Sequence, residues 1–358
     1  MIFSQRRLSF PFGIMASILL ISSFAIAVFI FSHHQVHASD GFNTPGNVLI
    51  SDQFNNRAIE VNRQKQIVWS FGSGDPTLCN PGPGAIIGLN DAERLSGGLT
   101  LLAGTGIPAG ADPLLPNGCV DNRVIVVDQG GNIVWQYGQA GVTGSGPNQL
   151  NVPVFAIQLP NRNIMIVDQG NNRVIEVGRF SKKIVFQYGP TSGRGALNSP
   201  NSAELLPNGH ILIADENNNR VIEITRSGEI VWQYSKGIIA AAFASRLPNG
   251  DTLIVDSGHA RIIEVTQDKH IVFQYFTNKQ SGSNSSPLPT NAVKLANGNI
   301  SIADQFNDRA IIIEPEKEIV FQYGMLNVPG NGFNQCNAPY TAFVIGDYTG
   351  QTPPPPQF

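Results

Sequence analysis

The residues of this 358-residue sequence that could do chemistry recur at a fixed spacing. Five aspartates are each followed five residues later by an arginine, and the pairs are Asp52 and Arg57, Asp168 and Arg173, Asp215 and Arg220, Asp256 and Arg261, and Asp304 and Arg309. A carboxylate and a guanidinium so close in sequence could form a charge-assisted bond or an acid–base site. Because catalysis needs one such site and not five, we interpret the pairs as bonds that fix a repeated turn.

The pairs belong to a longer unit that occurs six times. An arginine opens its third strand and an aromatic residue follows 12 residues later, or 13 in the third copy, as in Arg57 and Trp69, Arg123 and Trp135, Arg173 and Phe186, Arg220 and Trp232, Arg261 and Phe273, and Arg309 and Phe321. The copy at residues 203–234 has four short apolar runs separated by turn signals, which predicts a four-stranded antiparallel meander. Six such meanders bury both faces when they pack radially, so we predict an all-β, six-bladed β-propeller.

The two ends of the repeat array predict how the ring closes. The first copy begins at Asn47 with its second strand, and residues 340–346 at the other end match a first strand with nothing after it. One blade made from both ends would remove the exposed edge of an open array. We therefore assign residues 47–346 to the propeller, closed by a strand at residues 340–346.

The repeat resembles a known family. Four copies carry the pattern Asp-x-x-Asn-x-Arg, which resembles the NHL repeat, and they lie at Asp52 to Arg57, Asp168 to Arg173, Asp215 to Arg220 and Asp304 to Arg309. The fifth copy has His259 in the Asn place, and the second has Gly104 in the Asp place, followed by an insertion at residues 105–120. The trailing Trp-Gln-Tyr is similar to repeats of arylsulfotransferase-type propellers. The resemblance implies architecture, because such propellers include scaffolds, ligand readers, lyases and lactonase-like enzymes.

The loops of the predicted ring fall on two faces. Short turns such as Pro207-Asn208-Gly209 lie on one face, and the long connections near residues 72–90, 138–152, 189–200, 276–289 and 324–339 lie on the other, with the insertion. Function tends to concentrate in variable loops on a rigid scaffold. We therefore predict a module that binds a protein, glycan or small ligand through the long-loop face, and we expect it to be a monomer.

Polar residues at the starts of the innermost strands are predicted to line the axial mouth. They are Asn90, Asp91, Asn201, Ser202, Asn291 and Thr341, with Glu93 and Glu204 one step deeper. Oxygen ligands converging on an axis could hold calcium, as lactonase-like propellers do. Because Phe155 and Phe243 take two of the six mouth positions, we predict no metal or other cofactor and interpret the mouth as a hydrated polar channel; calcium is the open alternative.

An enzyme at the axial mouth is the alternative function. The resemblance suggests arylsulfotransferase, lyase or lactonase chemistry, in which His259 would act as nucleophile, base or ligand and Glu204 would assist. One histidine cannot supply a three-histidine zinc site. Because His259 replaces an asparagine of the repeat, we predict no catalytic residue and expect a binding protein rather than an enzyme; a purely structural role is a third hypothesis.

The three cysteines are predicted to lie in loops of the long-loop face. Disulfides form in oxidising compartments, so we expect Cys79 and Cys119 to pair and Cys336 to be left over.

The N-terminus predicts export. Arg6 and Arg7 precede an apolar run from Phe12 to Phe31, long enough to cross a bilayer as a helix, and residues 36–38 fit a cleavage site before Ser39. Residues 1–38 are thus a signal peptide or a retained membrane anchor, and both choices place the rest outside the cytoplasm. Residues 39–46 form a linker, and residues 347–358 a Pro-rich tail expected to be disordered.

Composition excludes one class of partner. The chain is 42% apolar and 14% charged with a formal charge of -3, so it can bury a large core but has no basic field for a phosphate backbone. We therefore expect no nucleic acid to bind.

Overall fold

The computed structural model describes residues 41–347. The predicted signal peptide or anchor at residues 1–38 and residues 348–358 of the predicted tail lie outside this range. Among residues 41–347, no helix is long and apolar enough to span a membrane.

The described chain forms six sheets, each an antiparallel meander of four strands. The strands are short runs of Ile, Val, Leu and aromatic residues, which fit a pleated surface buried on both sides. Turn residues end each run after about five residues, as in Ser227-Gly228. This confirms the predicted all-β, six-bladed propeller.

The blades are numbered from the N-terminus, and their strands are given from the axis outward. Blade 1 contains β24 (Pro339–Val344), β1 (Val48–Asp52), β2 (Arg57–Val61) and β3 (Ile67–Gly72). Blade 2 contains β4 (Leu89–Arg94), β5 (Thr100–Ile107), β6 (Cys119–Val127) and β7 (Ile133–Gly138). Blade 3 contains β8 (Pro153–Gln158), β9 (Ile164–Asp168), β10 (Arg173–Val177) and β11 (Ile184–Tyr188).

The other three blades follow the same order. Blade 4 contains β12 (Pro200–Leu205), β13 (Ile211–Asp215), β14 (Arg220–Ile224) and β15 (Ile230–Tyr234). Blade 5 contains β16 (Ala241–Arg246), β17 (Thr252–Asp256), β18 (Arg261–Val265) and β19 (Ile271–Phe276), and blade 6 contains β20 (Asn291–Lys294), β21 (Ile300–Asp304), β22 (Arg309–Ile313) and β23 (Ile319–Tyr323). Single 3-10 turns lie at Gln53–Asn55, Ser96–Gly98, Gln169–Asn171, Glu216–Asn218, Ser257–His259 and Gln305–Asn307.

The ring is closed by the C-terminal strand. β24 pairs antiparallel with β1, and Ile50 lies opposite Ala342 in the register. The strand occupies Pro339–Val344, whereas the sequence predicted residues 340–346. The ring is therefore fastened by backbone hydrogen bonds between its two ends, and β1 has no exposed edge.

The core lies between neighbouring blades. Buried Ile, Val and Leu of the second and third strands of one blade pack on those of the next, as in the cluster that contains Ile222, Val255 and Ile311. The same place in each innermost strand holds a buried alanine, namely Ala92, Ala156, Ala203, Ala244, Ala292 and Ala342. Strands converge there, and a small side chain allows the approach.

Connectivity defines the two faces. The turns between first and second and between third and fourth strands form the short-turn face. The turns between second and third strands, and the links between blades, form the loop face. Gly46 donates a hydrogen bond to the carbonyl of Ile345 (2.8 Å) and Asp347 accepts one from Ala296 (2.7 Å), so both described ends lie at the short-turn face.

Candidate functional site

The repeated Asp-Arg pairs form the same buried arrangement in each copy. Asp215 accepts hydrogen bonds on Oδ2 from Arg220 Nε (2.6 Å) and Asn218 Nδ2 (2.8 Å), and on Oδ1 from the N–H of Asn198 in the link before the blade (2.8 Å). The equivalent ion pairs join Asp52 to Arg57, Asp168 to Arg173, Asp256 to Arg261 and Asp304 to Arg309, at 2.7 to 2.9 Å. The carboxylate thus fixes both the turn and the preceding link.

Blade 6 departs from this arrangement at one atom. The link residue that would donate its N–H to Asp304 is Pro287, which has no N–H. Among the described residues Asp304 Oδ1 has no hydrogen-bond partner. Burial raises the pKa of Asp304 to about 6, although Arg309 and Asn307 oppose the shift.

Blade 2 supplies its carboxylate from a residue that the sequence analysis missed. Gly104 stands where other blades have aspartate, and Asp121 of the neighbouring strand takes over. Its Oδ2 accepts bonds from Arg123 Nη2 (3.0 Å) and from the link N–H of Ile87 (2.8 Å). The signal was an aspartate two residues before the repeat arginine, on the far side of the insertion.

A second repeated contact joins each blade to the next. The residue before each repeat arginine has a left-handed backbone. Where it is asparagine, as in blades 3 and 4, its side chain accepts a hydrogen bond from a backbone N–H of the following link. Asn172 accepts from Ser199 (2.7 Å) and Asn219 from Ala240 (2.8 Å). Blade 5 has Ala260 at φ 53°, so this place holds a side chain that cannot accept a hydrogen bond.

His259, the alternative catalytic residue, occupies the place of the repeat asparagine. Its Nδ1 lies 2.9 Å from Asp256 Oδ2, the oxygen that also binds Arg261. The histidine side chain is 39% exposed. The contact thus reproduces what asparagine does in the other blades, and it leaves Nε2 as the only ring nitrogen outside this pair.

The predicted mouth residues bind neighbouring blades rather than converge on one point. Innermost strands are sheet edges with free N–H groups, and side chains of the preceding blade accept from them. Asp91 Oδ2 accepts from Ala156 (3.0 Å), Ser202 Oγ from Ala244 (3.2 Å), Asn291 Oδ1 from Ala342 (3.3 Å) and Thr341 Oγ1 from Ala92 (3.4 Å). These four residues therefore seal the inner edges of the blades.

Glu204 does the same one step deeper. It accepts hydrogen bonds from the N–H of Arg246 (2.7 Å) and the hydroxyl of Ser245 (3.2 Å) of the next blade. Glu204 and His259 lie in different blades, and each is bound to neighbours of its own.

Two phenylalanines fill the axis at the depth of Asp91. Phe155 and Phe243 come from blades 3 and 5, and their rings meet edge to face with centroids 5.8 Å apart. Both are buried. The rings thus take two of the six positions at this depth, as the sequence analysis expected, and the other four are the polar residues Asp91, Ser202, Asn291 and Thr341.

Above the phenylalanines, a side chain crosses the mouth. Tyr340 of blade 1 donates its hydroxyl to Asn201 of the opposite blade 4 (3.0 Å) and also accepts from its Nδ2 (2.8 Å). Asn201 Nδ2 lies 2.8 Å from Glu216 Oε2 as well. Burial raises the pKa of Glu216. This bridge narrows the entrance from the loop face.

The bridge contacts, through Glu216, a ring of side chains that the sequence analysis missed. The ring consists of the residues directly after the repeat aspartates, Gln53, Gln169, Glu216 and Gln305. Gln53 donates to Asn90 (2.8 Å) and accepts from Gln305 (2.8 Å). The signal was the recurring Gln or Glu at one repeat position.

Asp91 and Glu93 form a buried carboxyl pair on one side of β4. Burial raises the pKa of Asp91 to about 7, although hydrogen bonds from the N–H of Ala156 and from the Thr341 side chain oppose the shift. Burial and the neighbouring Asp91 raise the pKa of Glu93 as well. Within residues 41–347, neither carboxylate oxygen of Glu93 has a hydrogen-bond partner.

The described residues offer no candidate metal centre. Within residues 41–347, no group of three His, Cys, Asp or Glu side chains is placed to hold an ion.

The insertion of blade 2 forms a bent hairpin on the loop face. It extends β5 and β6, and their register shifts between Gly104 and Gly106. A disulfide joins Cys79 of the preceding link to Cys119 of the hairpin, while Cys336 is free and buried. A partly open cavity of about 380 Å³ lies between the hairpin and the link to blade 3.

Comparison with known proteins identifies the fold but no family. No family model and no curated protein matches the chain. A protein of unknown function from Bacteroides caccae is similar in structure, with a TM-score of 0.56 and 16% identity over 79% of this chain and 97% of that one. Virginiamycin B lyase from Staphylococcus aureus gives 0.51 and 16%, over 82% and 84%. A catalytically inactive variant of that lyase with quinupristin gives 0.50 and 15%, over 79% and 81%.

Proposed function

We propose that this chain is an exported or membrane-anchored propeller of NHL-like repeats that binds a partner through its loop face. The partner is a protein, a glycan or a small ligand, and the propeller acts outside the cytoplasm as a monomer. The signal or anchor at residues 1–38 and the NHL-like motif Asp-x-x-Asn-x-Arg support this assignment.

The distribution of exposed apolar side chains carries the proposal. Outside the strands, the exposed large apolar residues within residues 41–347 are Leu114, Val142, Phe180, Ile239, Met325, Val328 and Phe333. All except Phe180 lie in links or in the hairpin of the loop face. Apolar side chains gathered on one face mark interaction sites more often than scattered ones do.

Placement of the chain ends supports the same face. Both described ends lie at the short-turn face, so an anchor before residue 41 would leave the loop face unobstructed. The long links present variable side chains there on a rigid scaffold.

An enzyme at the axial mouth has less support. Glu204 binds two groups of the next blade, and His259 shares the carboxylate of Asp256 with Arg261. Phe155 and Phe243 fill part of the axis below the mouth. The structural likeness to virginiamycin B lyase at 16% identity concerns the fold alone.

A selection with matched variants tests the proposal. Displayed random peptides and an immobilised glycan panel are screened on the full chain in detergent, and the bound members are measured again on two variants. Phe333→Asp on the loop face should weaken binding about tenfold or more, because a charge replaces an exposed apolar contact. Phe180→Asp on the short-turn face is equally disruptive chemically and should leave binding unchanged. Binders that depend on Phe180 and not on Phe333 would contradict the proposal.

A further inference from the structure

A partly open cavity lies beside the blade 2 hairpin, in elements that the repeat does not supply. Its walls come from the hairpin, from Cys79 of the preceding link, and from Thr143, Asn151 and Val152 of the following link. Its volume of about 380 Å³ lies in the range of small-molecule sites. The other blades have tight turns where this hairpin stands.

The walls are held in place by three separate bonds. The disulfide between Cys79 and Cys119 fastens the far end of the hairpin strands, next to the tip loop, to the link. At the bend, Thr105 donates its hydroxyl to the carbonyl of Pro153 in the next blade (2.6 Å). Asn122 donates to Thr143 Oγ1 (2.9 Å). The cavity is thus preorganised, which reduces the entropy lost when a ligand binds.

The lining selects against charge. Ile107, Val120 and Val152 supply apolar surface, while asparagine and threonine side chains supply the polar groups. No charged side chain of residues 41–347 lines the cavity. A ligand ion bound against these walls would lose part of its hydration without gaining a counter-ion, which is unfavourable.

One wall residue has an unfavourable backbone conformation. Val152 has φ of 56°, in the left-handed region that β-branched residues avoid. The equivalent position of blade 2 is Gly88, which adopts φ of 56° without a side-chain clash. The equivalent residues of the other links, Ser199, Ala240, Leu288 and Ala338, have the same left-handed backbone, so the conformation belongs to the repeat. Val152 differs in that its side chain lines the cavity.

We propose that this cavity binds an uncharged small molecule, with its apolar part against Ile107, Val120 and Val152 and its hydrogen-bonding groups toward the asparagine and threonine side chains. The inference rests on the proposed loop-face function and gives that face a specific ligand class.

A fragment screen on the full chain in detergent tests it. Equal numbers of uncharged, anionic and cationic fragments are screened by ligand-observed saturation-transfer NMR, and affinities are measured for the strongest binders. Uncharged fragments should dominate. Val152→Gly should weaken them about five- to tenfold, because part of an apolar wall is lost.

Leu288→Gly is the matched control. Leu288 occupies the same repeat position in blade 6, is half-buried and has φ of 46°, but does not line the cavity. Both glycine variants remove a side chain from the same left-handed backbone position. Because Val152 also packs against a buried core cluster, the comparison is of fragment affinity, measured well below the melting temperature of each variant. Only Val152→Gly should lose fragment affinity. Replacing both Cys79 and Cys119 with serine should also weaken binding, since the far end of the hairpin strands is released from the link.

The proposal is wrong if no uncharged fragment binds, if charged fragments bind equally well, or if Leu288→Gly loses affinity to the same extent. These outcomes are separable from failure of the loop-face function. If no uncharged fragment binds but Phe333→Asp still weakens binding of the selected peptides or glycans, only the cavity assignment is wrong. If neither assay gives the expected result, the loop-face function is wrong as well.

Discussion

At the scale of single residues, two carboxyl groups are buried side by side in the innermost strand of blade 2. Asp91 and Glu93 are both fully buried, and within residues 41–347 neither forms an ion pair with a basic side chain. Burial disfavours the charged forms, so both carboxyls retain protons in the folded chain at pH values where they ionise in the unfolded chain. Folding is thereby coupled to proton uptake.

This coupling predicts a pH dependence of stability. The folded pKa of Asp91 is about 7, above the unfolded value of about 3.9. The stabilisation from the bound proton is complete below pH 4 and is lost as pH rises to 7, by up to about 4 kcal/mol. Asp91→Asn cannot ionise but still accepts the Ala156 bond, so it should be more stable than wild type at pH 8 and similar at pH 4.5 in urea unfolding.

Asp268→Asn, at an exposed turn, is the control and should leave the pH profile unchanged. Burial raises the pKa values of Asp304 and Asp308 to about 6, so the free energy of unfolding still depends on pH in every variant. An unchanged slope in Asp91→Asn would show that Asp91 does not hold the proton.

Ala260 gives a second prediction at this scale. It has a left-handed backbone in a position where blades 3 and 4 use asparagine to bind the next link. Ala260→Asn should raise the free energy of unfolding by about 1 kcal/mol, since asparagine tolerates this backbone and adds an inter-blade bond to Leu288. Asn219→Ala should lower it by a similar amount. Differential scanning calorimetry measures both, and an unchanged or lower melting temperature for Ala260→Asn would contradict the role assigned to this position.

At the scale of elements, the repeat and its exceptions at Gly104 and His259 were visible in sequence, but the residue that compensates for Gly104 was not. The Asp-Arg spacing predicted the turns because each pair lies within a few residues of one hairpin. Asp121 was missed because the carboxylate moved to the opposite strand, where a local pattern does not show it. The Tyr340 contact with Asn201 spans 139 residues and depends on which blades face each other across the axis, which sequence spacing does not determine.

The relocated carboxylate predicts that blade 2 depends on Asp121. Arg123 is buried and forms an ion pair with Asp121. Asp121→Ala would leave a buried charge without its counter-ion, which costs about 3–5 kcal/mol. Urea unfolding should show that loss, while Asp268→Ala at an exposed turn should change stability by less than about 0.5 kcal/mol. A loss for Asp121→Ala as small as that of the control would mean that Gly104 marks a blade without the repeated bond.

At the scale of the whole molecule, ring closure makes the blades interdependent. β24 supplies the innermost strand of blade 1, and its Thr341 also binds the neighbouring blade through Ala92. Removing residues 339–358 would expose the edge of β1 and open the ring. The truncated chain should aggregate or lose its cooperative thermal transition, whereas removal of residues 348–358 alone should leave the transition in place. A normal transition without β24 would contradict closure.

The same closure determines which surfaces can bind. The axis is occupied by Phe155, Phe243 and the Tyr340 bridge, and the outer strands of the blades repeat one exposed pattern of valines. The loop face carries the links that differ from blade to blade, the hairpin and its cavity. The loop face is therefore the varied surface that we propose the partner recognises. This face lies opposite the two described chain ends.

Hydrogen–deuterium exchange of the full chain with and without a selected peptide or glycan tests this central claim most directly. Because binding at the loop face excludes water from the links, backbone amides should exchange more slowly in residues 73–88, 108–118, 139–152 and 324–338. Exchange in the short turns near residues 178–183 and 207–209 should not change. Protection confined to the short-turn face or the outer strands, with the links unchanged, would contradict it.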